Sequence, residues 1–375
     1  MIVSQQISAV EFGFAVFATG LAFAVPARRW KPFTAAREKL ARLSSHHLAC
    51  GLLVTLLPLA IRLILLPWIP VAAPAVQEEF SNILEADTFA HGRLATPPHP
   101  MSVFFDNVQE IQYPKYVSAR FPGTPIFLWA GQAIFHHPWA GVWLAVAAMC
   151  AAFYWMLLGW TRPFWALVCA LLFGLRFGIF TYWMNSYWPG SPAALGGALV
   201  LGATPRLYRR PAALMGFVYA LGCVILLLNR PAEGALFIVP TCLAILFAWR
   251  RRRPGLPEMA RAIAPVAALA GISIACLLWY NYATTGCAGI PPYLIWRDGQ
   301  GIVPVFWWQP LREAHLVYYS RETWRFFRVF ERELYEGVAT SWRFRLSTLF
   351  WRLVQFPRID IGLFLLIPML FPPVR

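Results

Sequence analysis

The 375-residue chain is expected to fold as an all-α, polytopic transmembrane helical bundle of about eight to ten spans, with juxtamembrane helices on its exoplasmic face. Three observations carry that expectation. Hydrophobic residues make up 59% of the chain, and its mean hydropathy is +0.55. Charged residues amount to only 13%, against about 25% in an ordinary soluble domain. Apolar runs also recur along the chain, several of them long enough to cross about 30 Å of hydrocarbon at 1.5 Å per residue. The formal net charge of +15 does not call for a nucleic-acid partner. Much of the Arg and Lys lies in short connectors between apolar runs, where the positive-inside rule accounts for it.

The first segment, residues 1–46, comprises a span at 8–25 and a basic connector. Arg28, Arg29, Lys31, Arg37, Lys39 and Arg42 follow the apolar run instead of preceding it, so this is a retained span with an outside N-terminus. Its connector is then cytoplasmic. A transmembrane core is expected over residues 47–283. Residues 48–72 cross back and deliver the polar segment 75–121 to the exoplasmic side. The next run, 121–135, is short for a span. Apolar runs follow at about 139–159, 163–183, 190–203, 212–228, 233–249 and 262–282. If 121–135 re-enters or packs at shallow depth, then Arg162, the cluster Arg206, Arg209 and Arg210, and the run Arg250 to Arg253 all fall in the cytoplasm, as the rule requires. The same parity puts the turns near Tyr187, Asn229 and Thr284 on the exoplasmic side, facing the 75–121 loop.

Residues 284–358 form a second exoplasmic segment, rich in Trp, Tyr and Arg. Within it Phe326, Phe327, Phe330, Leu334 and Tyr335 have helical spacing, which reads as an amphipathic surface helix with Arg325, Arg328 and Arg332 near lipid headgroups. Residues 359–375 hold a last apolar run. It is short for a span, which places the C-terminus in the cytoplasm or implies a chain cut from a longer protein. Cys50, Cys150, Cys169, Cys223, Cys242 and Cys276 lie in apolar runs and read as small core residues; neither a disulfide framework nor a metal site is expected.

Chemistry concentrates in VQEEFSNILEADTFAHGRL. Carboxylates beside a bilayer are costly unless water or substrate meets them. Pro74 should end the preceding helix and let a new one begin, on which Glu78, Asn82 and Glu85 share one face at i, i+4 and i+7. Phe80, Ile83, Leu84 and Phe89 supply an apolar face for the membrane surface, so the acids are expected to point at water. Two acids in the first turn of a helix are also favoured by its macrodipole, by about 0.3 to 1 kcal/mol each, which gives Glu78 and Glu79 a purely structural alternative.

The string EEFSNILEADTFAHGRL, placed after a core span and followed by FPGTPIFLWAGQAIF, resembles the first exoplasmic loop of GT-C membrane glycosyltransferases. That superfamily includes protein O-mannosyltransferases and aminoarabinose transferases. The resemblance covers roughly residues 47–250 and rests on a short motif. It implies a GT-C-like core that takes a sugar from a polyprenyl-phosphate donor and uses a loop carboxylate near the acceptor hydroxyl. It also implies the exoplasmic face of a bacterial cytoplasmic (inner) membrane as the place of action. The family's Asp-Glu pair falls on Glu78 and Glu79, and Glu78 is a departure, because its extra methylene displaces the carboxylate.

Single displacement of a lipid phosphate calls for a base and for positive charge at the leaving group. The expected base is Glu78 or Glu79. Arg230, in an NRPAEG stretch that also resembles one common in GT-C proteins, and Arg176, mid-span in LLFGLRFGIF, are expected to bind the donor phosphate. Asp87 and His91, which could also pair at i and i+4, are expected near the substrate with the aromatic residues Tyr187 and Trp188. No cofactor is expected, and the partners are the lipid-linked sugar, membrane lipids and an unspecified acceptor. The alternatives are a multi-pass transporter or lipid flippase, in which Arg62 and Arg176 would line a path, and a catalytically silent GT-C relative.

Overall fold

The computed structural model describes residues 16, 17, 20, 31–304, 306–313 and 318–356. The chain divides into two units. One comprises residues 1–46 with 333–375, and the other residues 47–332. The expected spans at 359–371 and, but for residues 16, 17 and 20, at 8–25 lie outside the described residues. In the first unit the described helices are α1 (Lys31–Leu43) and α14 (Trp342–Phe356). Helix α13 (Arg332–Thr340) begins at the last residue of the second unit.

The second unit is helical. Its long elements are α2 (His47–Ile64), α5 (Pro138–Trp160), α6 (Pro163–Leu175), α7 (Gly190–Arg209), α8 (Ala213–Asn229), α9 (Pro231–Arg252) and α10 (Leu256–Thr285). Helix α6 runs on through a π-helical turn at Arg176–Phe180. Among the described residues five helices are long and apolar enough to cross a membrane: α2, α5, α6 with its π turn, α9 and α10. Helix α8 is apolar but shorter. These five mark a helical membrane protein. Proline punctuates the bundle: Pro138, Pro163 and Pro231 each occupy the first turn of a helix, where the missing N–H would have had no intrahelical partner. Helices α7 to α10 share a core of Val200, Leu207, Tyr219, Leu226, Ile245, Trp249 and Ala262.

The two polar segments fold into a cap within the same unit. It contains α3 (Gln77–Ala90), a two-stranded antiparallel ribbon of β1 (Glu110–Ile111) and β2 (Val117–Ser118), α11 (Pro292–Gly299) and α12 (Arg321–Arg325). Its apolar centre is Val108, Ile111, Val117, Ala119, Trp296 and Phe327. Phe327 is fully buried. The expected lipid-surface helix is therefore anchored in protein: a π turn at Phe326–Glu331 swings Phe327 against Trp296 and Tyr318, while Phe330 stays exposed.

Helix α4 (Gly123–Phe135) joins cap to bundle. Its 13 residues extend about 20 Å, too short to cross a bilayer. It crosses α5 backbone to backbone, since a Cβ on Gly131 would lie 1.9 Å from the amide nitrogen of Gly141. The cysteines fit the core expectation only in part. Cys50 and Cys150 are buried, but Cys169, Cys242 and Cys276 are exposed on helix surfaces, as helices bathed in lipid allow.

Candidate functional site

Helix α3 begins at Gln77, three residues after Pro74, and Val76 is its N-cap. Valine has no side-chain oxygen to satisfy the first amides, so Glu79 supplies the acceptor. Its Oε2 accepts from the N–H of Ala75 at 2.6 Å and of Val76 at 3.3 Å, and its Oε1 accepts from the N–H of Tyr187 at 3.1 Å. At 3% exposure Glu79 is a buried brace that ties α3 to the 181–189 loop. Both of its oxygens are committed to backbone amides, unlike the open carboxylate expected of a catalytic base.

The face shared by Glu78, Asn82 and Glu85 does not look out to water, as expected. It packs inward. Asn82 donates to the carbonyl of Tyr187 at 3.0 Å, and Glu85 accepts from the hydroxyl of Tyr280 on α10. Burial pushes the Glu85 carboxyl up to about 8, and the Tyr280 and Ser118 hydroxyls beside it pull it down only in part. Glu78, at the top of this face, remains open.

Glu78 lines a hollow of about 360 Å³ with Asn82, Arg120, Thr124, Asn229 and Arg230. The Arg120 Nη2 stands 3.6 Å from Glu78 Oε2. Arg120 follows β2, its N–H donates to Ser118 Oγ at 3.0 Å, and its guanidinium lies 6.0 Å from the Trp296 ring centroid. Its buried Nε finds no acceptor among the described residues. Arg230 occupies the junction of α8 and α9 and meets Glu233 at 3.4 Å. Thr124 donates to Asn229 at 2.7 Å, a contact that depends on Gly123, where a Cβ would come within 2.6 Å of the Asn229 side chain. The hollow is thus built by α3, the segment after β2, the start of α4 and the α8–α9 junction.

A second cavity is about 490 Å³ and almost wholly apolar. Phe89, Pro122, Ile126, Trp129, Leu228 and Tyr280 line it, along with Ile272 and Cys276 of α10. The two are neighbours in sequence at two places, since Phe121 and Asn229 line the polar hollow while Pro122 and Leu228 line the apolar groove.

Of the expected site residues, Glu78 and Arg230 come together; the others do not join them. Arg176 sits in the π turn after α6 and does not line the hollow. Asp87 and His91 are exposed and pair with each other at 3.6 Å, and Asp87 also accepts from Gln132. Tyr187 is buried and spends its N–H, carbonyl and hydroxyl on Glu79, Asn82 and Ala72. Trp188 packs edge-on against Tyr182 and stops one residue short of Pro189, which does reach the hollow. Arg62 is buried, donating to Asn185 and to the carbonyls of Ile69 and Pro70. Arg120 was not singled out in the sequence. Its only signal there is its place in ARFPG, immediately ahead of the helix that closes the hollow. Among the described residues no three His, Cys, Asp or Glu side chains cluster in a way that could hold a metal ion.

No family model, no curated protein and no solved structure matches this chain. The functional reading therefore rests on the geometry of the hollow.

Proposed function

We propose that the protein is a membrane glycosyltransferase with a GT-C-like plan, moving a sugar from a polyprenyl-phosphate carrier to an acceptor hydroxyl at the exoplasmic face of a bacterial cytoplasmic membrane. The observation that carries this reading is a polar hollow in which two carboxylates, Glu78 and Glu233, each face one guanidinium group, Arg120 and Arg230 respectively, with an apolar groove lined by the next residues in sequence. The lipid-linked donor has that same division, a phosphodiester head with one negative charge, rising towards two as the phosphate departs, on a hydrocarbon tail. The head suits the planar forks of the two arginines and the tail suits the groove.

In this scheme the Glu78 carboxylate takes the proton of the acceptor hydroxyl as its oxygen bonds to the anomeric carbon. The bond from that carbon to the phosphate oxygen breaks, and the lipid phosphate leaves with the electron pair. Arg120 links the two ends of the reaction. In the free protein it pairs with Glu78, and an arriving phosphate competes for it, which releases the carboxylate to act as a base. Each nitrogen of the Arg62 guanidinium donates to a protein oxygen, which supports a structural place for it over a transport path.

The test is sugar release from a radiolabelled polyprenyl-phosphate sugar in proteoliposomes. Wild-type protein is expected to transfer label and Glu78→Gln to transfer none measurable. Equal transfer by the two would overturn the assignment.

A further inference from the structure

Helix α11 contributes to two hollows. Its Tyr293 lines the Glu78 hollow, whereas Leu294, Trp296 and Asp298 line a separate cavity of about 510 Å³. That volume is in the range that accommodates a small organic ligand. Arg120, over the Trp296 ring, belongs to the first hollow only.

The second cavity has a different chemistry. No Lys or Arg lines it, and two carboxylates, Asp106 and Asp298, do. Its lining thus offers no cation to hold a phosphate. Tyr113 and Tyr319 are 65% and 62% exposed there, offering ring faces to whatever enters. Hydrogen-bond acceptors predominate among its polar groups. Asp106 is held in place by the N–H groups of Tyr319 and Ser320, both at 2.9 Å, and Asp298 by Arg312 at 2.8 Å. The side-chain oxygens of Gln112 and Gln300 accept no hydrogen bond within the described protein, although both residues line the cavity and Gln300 is only 8% exposed. Buried acceptors without donors are costly, and a ligand rich in hydroxyl donors relieves that cost.

We propose that this cavity binds a neutral sugar ring of the acceptor, its C–H face against Tyr113 or Tyr319 and its hydroxyls donating to Asp106, Asp298 and the two glutamines. Calling the ligand an acceptor rests on the glycosyltransferase reading above; the sugar binding does not. The two sites then divide the reaction by charge, phosphate on the arginine side of α11 and neutral glycan on the carboxylate side.

Saturation-transfer NMR on the full-length protein in detergent tests this with maltotriose, mannotriose and tri-N-acetylchitotriose as probes and trilysine as a cationic peptide control. At least one trisaccharide is expected to bind saturably. Its affinity should fall at least tenfold in Tyr113→Ala/Tyr319→Ala and in Gln112→Ala, each checked by an unchanged elution profile and melting temperature, and should be unchanged in Glu78→Gln. Binding by trilysine alone, no binding by any trisaccharide, or undiminished binding in both variants would overturn the proposal. Trisaccharide binding together with no sugar transfer by the wild-type protein would instead remove the transferase reading and leave the glycan site standing.

Discussion

Glu78 and Arg120 meet across the polar hollow at 3.6 Å, the acid on the first turn of α3 and the guanidinium just beyond β2. Neighbouring Glu79, one residue along the same helix, points the other way and holds backbone amides. The helical turn thus separates two adjacent carboxylates into unlike tasks.

That separation predicts opposite phenotypes. Glu78→Gln should lower sugar transfer by about 100-fold or more, the usual worth of a general base, while changing stability by less than about 1 kcal/mol, as expected of a partly exposed ion pair. Glu79→Gln should cost about 1.5 to 3 kcal/mol of stability, because it weakens charge-assisted bonds to backbone amides. Thermal unfolding in detergent alongside the transfer assay separates the two. The assignment fails if Glu79→Gln is as stable as wild type and inactive.

Arg120→Lys keeps the charge but loses the planar fork. The expected result is an increase of about tenfold in KM for the lipid-phosphate donor, with protein yield preserved. Arg176→Lys, whose side chain does not line the hollow, should leave that KM unaltered. Steady-state kinetics with a water-soluble short-chain donor would show both.

The groove makes a labelling prediction. Cys276 is exposed and lines it. In a variant retaining only that cysteine, a bulky maleimide should block use of a long-chain donor while sparing a short-chain one, and long-chain lipid phosphate should slow the labelling. If labelling goes to completion with no effect on long-chain transfer, the tail does not lie there.

Much of this architecture is legible in the sequence. Among the described residues each apolar run falls on a helix, though 48–72 overruns α2, which ends at Ile64 and not at Pro74 as expected, and α10 begins at Leu256, ahead of the 262–282 run; α3 does begin shortly after Pro74. The turns at Tyr187 and Thr284 bond to the acidic loop, through Glu79 and Asn82 and through Lys115, which donates to the Ala283 carbonyl, while Asn229 bonds to Thr124 on α4 and shares the polar hollow with Glu78. What periodicity could not reveal is the sense of a face. Glu78, Asn82 and Glu85 do share one side of α3, yet that side is turned into protein, because Tyr280 and the Tyr187 carbonyl supply partners that lie far away in sequence. The β1–β2 ribbon was missed for a related reason. Its strands are two residues each, too short to display alternation.

Glu85 gives a pH prediction with a definite sign. Its native carboxyl sits near 8 and its unfolded one near 4.5. Between those values the folded protein holds a proton that the unfolded chain has shed, so stability falls as pH rises through this window. Glu85→Gln should flatten that slope, matching wild type near pH 4.5 and melting higher than wild type at pH 8. Burial also raises Glu110 and Glu331, the latter to about 7, so some slope should remain. Parallel melting curves for wild type and Glu85→Gln would contradict the assignment.

The α4–α5 crossing predicts a packing defect. Gly131→Ala places a methyl where Gly141 already stands, and overpacking of this kind costs typically about 1 to 3 kcal/mol. Because α4 also carries Thr124, transfer should drop together with melting temperature. An Ala variant that is both stable and active would mean the two helices stand further apart.

Tyr280 joins regions that otherwise have separate duties. Its ring forms part of the greasy wall while its hydroxyl grips Glu85, two turns along the rod that presents Glu78. Under the proposed function, a hydrocarbon tail pressing on that ring would push on the helix that carries Glu78. In that scheme a single phenol would couple the groove to the polar hollow, with no hinge or moving lid required.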